Sequence, residues 1–259
     1  MGNEGKVLFV GAGPGDPELI TVRGLKALQQ AEVVVYAGSL VNRALLAECP
    51  KECEIHDSAP LTLDEVVDIL FGAAAAGKRV VRLHTGDPSV YGAIQEQMAA
   101  LDERGIAFGL VPGVTAAFAA AASLRQELTL PGVSQTVVLT RVEGRTPVPE
   151  HEKLRRIAAL GATCCIYLSV GMIEKVVEEL LAGGVYSAAT PAAVVTRAGW
   201  EDETVVEGTL ADIADKVAAA GISRQAVILV GDVLNARKKG VPEKSKLYDP
   251  GFSHGFRKT

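Results

Sequence analysis

Three glycine-containing turns each follow a short apolar run in the first half of the chain. The runs end at Val10, Leu83 and Val111, and segments with helical periodicity separate them. Such an alternation of strand and helix predicts a mostly parallel sheet with helices on both faces. Ligands of these sheets bind at the carboxyl ends of the strands, so the three turns form the predicted ligand-binding edge.

The same alternation starts again after residue 130, which predicts a second α/β domain. We place the first domain at residues 1–128, the second at 129–235 and a basic tail at 236–259, with Tyr248, Phe252 and Phe256 expected to pack. Strands are predicted at 7–11, 33–36, 79–83, 108–111, 135–140, 163–168, 192–196, 204–207 and 226–230, with 204–207 antiparallel to a neighbour. Helices are predicted at 21–31, 42–48, 62–76, 93–104, after Gly113, and at 150–160, 172–181 and 210–220.

Composition argues against several classes of partner. The 259 residues carry a net charge of -5, which gives no global attraction for nucleic acid. No apolar run approaches the roughly 18 residues of a membrane span. The N-terminus passes directly into an apolar strand and does not resemble a signal peptide. We therefore expect a cytoplasmic protein without nucleic-acid or membrane partners.

The cysteines and histidines indicate no metal site. Cys164 and Cys165 are adjacent in an apolar run and are expected to be small buried residues on opposite faces of a strand. Cys49 and Cys53 lack the spacing of a zinc knuckle, so we expect reduced thiols. His56, His151 and His254 show no ligand spacing, and His84 is interpreted as a structural loop histidine rather than a general base.

The first turn contains Gly11, Gly13 and Gly15 with Pro14 and Pro17 among them. A dinucleotide-binding loop requires G-x-G-x-x-G opening directly into a helix, and an acidic residue after the second strand. Neither requirement is met, and prolines remove amide donors that would hold a pyrophosphate. The glycines are better explained by close approach of a ligand to the backbone, with a tight structural turn as the alternative.

The second and third turns contribute polar candidates. Asp87 precedes a proline and is therefore a loop acid at the ligand-binding edge, or alternatively only a turn acid. Thr115 begins the alanine-rich helix after Pro112 and Gly113, where a plain N-cap is the alternative. Three such turns at three strand ends form a stronger signal than any one of them.

These motifs resemble a known family. VGAGPGDPELIT, LHTGDPSVYGAIQEQ and VPGVTA are similar to the tetrapyrrole methyltransferases, over about residues 6 to 234. VVYAGSLV, EIHDSAPLTLDEV, ELTLPGVSQTVVLTRVEGRTPVPE and KLYDPGFSHGFR resemble its precorrin-4 C11-methyltransferase branch, which acts in cobalamin biosynthesis. The resemblance implies two α/β domains with S-adenosylmethionine in the cleft between them, a fold that is not Rossmann-like, and a homodimer.

The resemblance also implies residue roles. The cofactor-binding residues would be Pro14, Thr85, Gly86, Asp87, Val90, Thr115, Ala116, Leu168 and Ala198. The family often has glycine at the position of Thr85 and methionine at that of Leu168. Asp87 is the candidate for positioning, and no general base is nominated because the tetrapyrrole carbon is already enamine-like. The product of the cofactor would be S-adenosylhomocysteine.

A tetrapyrrole substrate carries several carboxylates, which arginine forks bind better than lysines do. Candidates on predicted loops are Arg23, Arg125, Arg141, Arg145 and Arg197, and the pair Arg141 and Arg145 is preferred because both lie in one polar loop. The alternatives for the whole chain are another branch of the same fold, acting on a different ring position or on a macromolecule, and a non-catalytic cofactor-binding protein.

Overall fold

The computed structural model describes residues 5–236, 240, 243, 245–246, 250–253 and 255–258. The chain forms two compact units, Met1–Ala119 with Ala198–Asp202, and Ala120–Arg197 with Glu203–Thr259. The predicted domain boundary at residue 128 and the separate tail stay predictions. Tyr248 and His254 lie outside the described residues, while Phe252 is 40% and Phe256 101% exposed.

Ten strands and seven α-helices are described, together with several short 3-10 helices. The strands are β1 Lys6–Gly11, β2 Val33–Tyr36, β3 Glu54–Asp57, β4 Val80–His84, β5 Ala107–Val111, β6 Val137–Arg141, β7 Thr163–Tyr167, β8 Pro191–Thr196, β9 Thr204–Thr209 and β10 Ala226–Val230. The helices are α1 Val22–Leu28, α2 Leu63–Ala75, α3 Gln95–Glu103, α4 Ala116–Ser123, α5 Leu154–Ala158, α6 Ile173–Ala182 and α7 Ile213–Ala219.

The first unit contains a five-stranded sheet in the order β3-β2-β4-β1-β5, and all its pairings are parallel. Alternate residues of the buried strands face two separate cores. Leu28 of α1 and Leu45 of a 3-10 helix pack on one face. Leu70 of α2 and Leu101 of α3 pack on the other. This confirms the predicted parallel sheet with helices on both faces.

The start and end of α2 follow from its sequence. Thr62 and Glu65 form a capping box, in which the Thr62 hydroxyl accepts from the Glu65 amide and the Glu65 carboxylate accepts from the Thr62 amide at 2.7 Å. Gly77 follows the helix with φ of +77°, the left-handed conformation that terminates helices.

The second unit contains a mixed sheet in the order β6-β7-β10-β8-β9. Strands β6 and β7 are parallel, and the pairings of β10 with β7 and β8 are antiparallel. Strand β9 pairs antiparallel with β8, as predicted for residues 204–207. Helices α5, α6 and α7 cover one face through Leu154, Leu180 and Val217.

The four cysteines are free thiols. Cys164 and Cys165 are both buried in β7, as predicted, and only Cys164 belongs to the core beneath the three helices of this unit. Cys49 and Cys53 are half-buried against the first unit's α1 side. No helix among the described residues is both long and apolar enough to cross a membrane.

Four elements differ from prediction. The helix predicted at 42–48 is a 3-10 helix at Arg43–Glu48. Strand β3 was not predicted, because Glu54 and Ile55 at this sheet edge are exposed and give no apolar run. The predicted helix at 150–160 is interrupted at Lys153, which is extended with ψ of 139° between a 3-10 turn and α5. The predicted strand at 163–168 ends at Tyr167, because Leu168 adopts a φ of +54° that no strand accommodates.

Candidate functional site

The three glycine turns meet backbone to backbone in the first unit. The amide of Ala12 donates to the carbonyl of His84 at 2.7 Å, and Gly13 and Gly86 exchange hydrogen bonds at 3.3 and 2.7 Å. A Cβ atom on Gly11 would lie 2.6 Å from the Gly113 Cα, and one on Gly113 would lie 2.1 Å from the Gly86 carbonyl oxygen. Side chains at these two positions would force the loops apart.

Asp87 connects the second loop to the third by a hydrogen bond. Its Oδ2 accepts from the Gly113 amide at 2.9 Å, and its Oδ1 accepts from the Ser89 amide at 2.8 Å and from the Ser89 hydroxyl at 2.5 Å. Burial by itself raises the pKa of Asp87, but the hydrogen bonds from Ser89 and Gly113 outweigh it and leave the pKa below its usual value. Asp87 is therefore a carboxylate that positions two loops.

Pro14 is buried in the first loop beside the segment that follows β8. Its carbonyl accepts a hydrogen bond from the Trp200 indole Nε1 at 3.0 Å. A Cβ on Gly199 would lie 3.4 Å from the Pro14 Cγ, so the backbone next to Ala198 reaches this loop. Ala198 itself is only 5% exposed, which leaves little of its methyl group to a ligand.

The other first-unit residues assigned from sequence lie on the second and third loops. Thr85 and Val90 are half-buried on either side of Gly86 and Asp87. The Cβ position of Gly86 is 3.8 Å from the Thr115 Cα and 3.9 Å from the Ala116 amide nitrogen. The structure thus brings Gly86, Thr115 and Ala116 together where the loops of β4 and β5 meet.

A buried arginine supports the turn that follows Asp87. Arg82 is 6% exposed, and it donates to the Gln97 side-chain oxygen at 3.0 Å and to the Val35 carbonyl at 3.2 Å. The Gln97 amide in turn donates to the Ala93 carbonyl at 2.9 Å. Ala93 has a φ of +48° and Tyr91 one of +56°. Non-glycine residues keep such conformations only where their surroundings enforce them.

His84 is the last residue of β4 and is neutral. It is 4% exposed and stacks on Phe9 with ring centroids 6.2 Å apart. Burial and the charge of Arg82 lower its pKa from 6.5 to about 3. Its Nε2 has no hydrogen-bond partner among the described residues. An uncharged imidazole is compatible with a structural role and with a general base alike, so the interpretation of His84 as structural stays a prediction.

The second unit presents its own predicted residues at one sheet edge. Strands β6, β7 and β8 run in the same direction, so Arg141, Leu168 and Arg197 lie at their common carboxyl edge. Leu168 is 68% exposed and Arg197 has a φ of +51°. An exposed leucine in the left-handed conformation is strained, and strain of this kind concentrates at functional sites.

The two preferred arginines differ in their surroundings. Arg141 donates to the carbonyls of Thr146 at 3.1 Å and Pro147 at 2.8 Å, so it holds its own loop. Arg145 is exposed and no described residue engages its guanidinium group. Arg197 donates to the Gln225 side chain at 3.0 Å. Arg23 is exposed on α1, and Arg125 follows α4 with a φ of +52°.

Sequence reasoning missed Trp200, Arg82 and Gln97. Trp200 and Pro14 are 186 positions apart in the sequence, and Arg82 and Val35 are 47 apart. The single tryptophan of the chain was the one available signal for the first of them. Within the described part of the chain, no group of three or more His, Cys, Asp or Glu residues could hold a metal ion.

Comparisons with known proteins identify a family over most of the chain. The family described as Tetrapyrrole (Corrin/Porphyrin) Methylases matches residues 6–214. Cobalt-precorrin-4 C(11)-methyltransferase of Methanocaldococcus jannaschii is 55% identical over 259 residues, 100% of this chain and 98% of that protein.

Solved structures are similar over most of the chain. A cobalt precorrin-4 methyltransferase, described as a cobalamin biosynthetic enzyme, has a TM-score of 0.87 at 49% identity and covers 89% of this chain and 96% of its own. Uroporphyrin-III C-methyltransferase of Thermus thermophilus, complexed with S-adenosylhomocysteine, has a TM-score of 0.74 at 29% identity, covering 89% and 94%.

The lowered pKa of His84 predicts a specific acid sensitivity. Between pH 6.5 and about 3 the unfolded chain binds a proton at this residue that the folded chain does not, so stability falls as the pH falls. The loss approaches about 1.4 kcal/mol per pH unit. His84→Leu should remove this slope when the free energy of unfolding is measured by urea denaturation between pH 4 and 8. His151→Gln, at an exposed histidine, is the control, and parallel curves for wild type and His84→Leu would contradict the prediction.

Replacing Asp87 should loosen the second and third loops. Asp87→Asn removes a charged acceptor from the Gly113 and Ser89 donors, and a hydrogen bond to a charged group contributes about 1.5–3 kcal/mol. We expect a loss of that order in the free energy of unfolding, and faster amide hydrogen exchange at Gly113. Asp102→Asn, on the exposed face of α3, is the matched control. Equal losses in the two variants would argue against the role assigned to Asp87.

Proposed function

The chain belongs to the tetrapyrrole (corrin/porphyrin) methylase family, and we propose that it transfers a methyl group from S-adenosylmethionine to C-11 of precorrin-4 or cobalt-precorrin-4 in cobalamin biosynthesis. The observation that carries the proposal is the agreement between full-length similarity and the joined glycine loops of the first unit. A protein that only bound the cofactor would need no such substrate-specific similarity over its whole length.

The loops fit the cofactor by their chemistry. S-adenosylmethionine supplies an electrophilic methyl group on a sulfonium, together with an ammonium and a carboxylate. The edge of the first sheet offers backbone carbonyls and the Asp87 carboxylate, which favour cations. A carboxylate has about four acceptor sites, and Asp87 uses three of them on Ser89 and Gly113. About one site therefore remains for a cationic ligand group.

We assign the cofactor to the residues that the loops place together. Pro14, Thr85, Gly86, Asp87, Val90, Thr115, Ala116 and Ala198 all belong to the first unit. Pro14 and the Ala198–Asp202 segment are in contact through the Trp200 hydrogen bond, and Gly86 adjoins Thr115 and Ala116. Leu168, exposed at the edge of the second sheet, is proposed to provide an apolar surface for the adenine.

Methyl transfer needs alignment more than acid–base chemistry. The attacking carbon must approach the methyl group in line with the leaving sulfur, and rigid positioning of this kind contributes a large share of rate acceleration. The chain's part is to hold the loops in one geometry through Asp87 and the Arg82–Gln97 pair. His84 is neutral but buried against Phe9, so it is not offered as a general base.

Arg145 is the preferred ligand for a substrate carboxylate. Its guanidinium is exposed, whereas that of Arg141 is committed to the carbonyls of Thr146 and Pro147. Arg141 is therefore proposed to act by shaping the loop that carries Arg145. Both belong to the second unit, at the end of β6.

We also propose a homodimer in the cytoplasm, without nucleic-acid or membrane partners. The homodimer rests on the family resemblance, and light scattering after gel filtration tests it. The cytoplasmic location is supported by four free thiols. A net charge of -5 disfavours a nucleic-acid partner.

The function is tested by incubating the protein with isotopically labelled S-adenosylmethionine and enzymatically prepared precorrin-4, with and without cobalt. Mass spectrometry and NMR of the macrocycle should locate the new methyl group at C-11, and the faster substrate settles the cobalt question. A methyl group at another ring position would place the chain in a different branch of the family. Cofactor binding without transfer to any tetrapyrrole would overturn the proposed substrate.

Arg145→Ala should raise the KM for the tetrapyrrole at least about fivefold and leave the KM for S-adenosylmethionine unchanged, because a charge-assisted hydrogen bond contributes about 1.5–3 kcal/mol. The double variant Arg141→Ala/Arg145→Ala should raise it further, since the loop loses its internal donors. Arg156→Ala, at an exposed arginine of α5, is the control. An unchanged tetrapyrrole KM in the double variant would remove both arginines from the substrate site.

A further inference from the structure

Trp200 contacts the first glycine loop, although the two are distant in the sequence. It lies in Ala198–Asp202, the segment that belongs to the first unit although β8 and β9 on either side belong to the second. Its indole Nε1 donates to the Pro14 carbonyl at 3.0 Å. Trp200 is the only tryptophan of the chain.

The indole also occupies the space that a side chain at position 15 would need. A Cβ atom on Gly15 would lie 2.1 Å from the Trp200 Cδ1 and 2.3 Å from its Nε1. Two non-bonded carbon or nitrogen atoms do not approach this closely, so the indole ring packs directly against the Gly15 backbone. Glycine at position 15 is therefore explained by Trp200, whatever the loop binds on its other side.

The prolines of the first loop limit how its backbone can be held at this point. Pro14 and Pro17 carry no amide hydrogen, so the backbone between them cannot be fixed by a regular hydrogen-bond ladder. The Gly15 carbonyl accepts from the Asn42 side chain at 2.9 Å, and the Pro14 carbonyl accepts from Trp200. Two side chains from other parts of the chain thus fix two successive carbonyls.

We propose that Trp200 is a positioning residue for the cofactor loop, which sets the direction of the Pro14 carbonyl and holds residues 14–16 in the conformation that binds S-adenosylmethionine. The inference rests on the proposed function, because it assigns the loop to that cofactor. Trp200 acts through the loop and is not offered as a catalytic residue.

Two substitutions at position 200 separate the hydrogen bond from the ring. Trp200→Phe keeps an aromatic ring over Gly15 and removes the donor, so we expect the Kd for S-adenosylhomocysteine, measured by calorimetry, to rise about fivefold. Trp200→Ala removes both and should raise the Kd at least tenfold. Phe71→Leu, an aromatic substitution on α2, should leave the Kd unchanged.

Substitution of Gly15 provides a second test of the proposal. Gly15→Ala places a methyl group where the indole lies and should weaken S-adenosylhomocysteine binding at least tenfold. In Gly15→Ala/Trp200→Ala the space is free, so the double variant should bind no more weakly than Trp200→Ala alone. Multiplying effects in the double variant would show that the two positions act independently and would overturn the proposal.

Two further readouts distinguish positioning from general stability. In the free protein, Trp200→Phe should speed hydrogen exchange at the amides of residues 15 and 16, while Phe71→Leu should not. In turnover, Trp200→Phe should raise the KM for S-adenosylmethionine and leave the tetrapyrrole KM and kcat near their wild-type values. A merely structural role would lower the fraction of folded protein and leave these KM values unchanged.

The outcomes also separate this inference from the proposed function. A wild-type protein that fails to bind S-adenosylhomocysteine would overturn the assigned cofactor, and the role of Trp200 with it. Wild-type binding combined with an unchanged Kd in Trp200→Phe and Trp200→Ala would overturn the role of Trp200 alone. Should Trp200→Ala fail to fold, Trp200→Phe and Gly15→Ala still decide.

Discussion

The close approach of three backbones at Gly11, Gly86 and Gly113 is the constraint on which the candidate site depends. Strands β4, β1 and β5 are neighbours in the first sheet, and parallel neighbours lie about 4.8 Å apart. Loops that leave three adjacent strands at the same edge must either diverge or pack without side chains. In this chain the loops pack without side chains, because a Cβ atom on Gly113 would lie 2.1 Å from the Gly86 carbonyl oxygen.

Glycine permits this approach but cannot by itself fix a conformation, because it gains the most freedom when the loop opens. The loops are instead held by side chains from elsewhere. Asp87 joins the second loop to the third, Trp200 fixes the first, and Arg82 with Gln97 holds the turn around Ala93. Tyr91 and Ala93 have positive φ angles, a conformation that non-glycine residues keep only where their surroundings enforce it.

The ligand-binding edge was predictable from sequence because its signals are local. Apolar runs followed by glycine turns identify strand ends, and Thr62 with Glu65 identifies the start of α2. The supports of the loops were not predictable in this way. Trp200 and Arg82 act on residues distant in sequence or across the sheet, and no local pattern connects them to their partners. Strand β3 was missed because its residues are exposed at a sheet edge, and the turn at Leu168 because nothing in its sequence indicates a left-handed conformation.

The charge states of Arg82 and His84 are compatible with a reaction that requires a fixed loop geometry. Burial lowers the pKa of Arg82 to about 10, so it stays charged at neutral pH, and its charge helps to keep His84 uncharged. A buried arginine without a carboxylate partner among the described residues is unfavourable for stability alone. Its donors are directed to Val35 and Gln97, and Gln97 reaches the strained turn at Ala93. The burial of Arg82 is therefore best explained by its hydrogen bonds, which hold the turn around Ala93 in its conformation. The proposed methyl transfer would make use of that rigidity, because the attacking carbon has to approach the methyl group in line with the leaving sulfur.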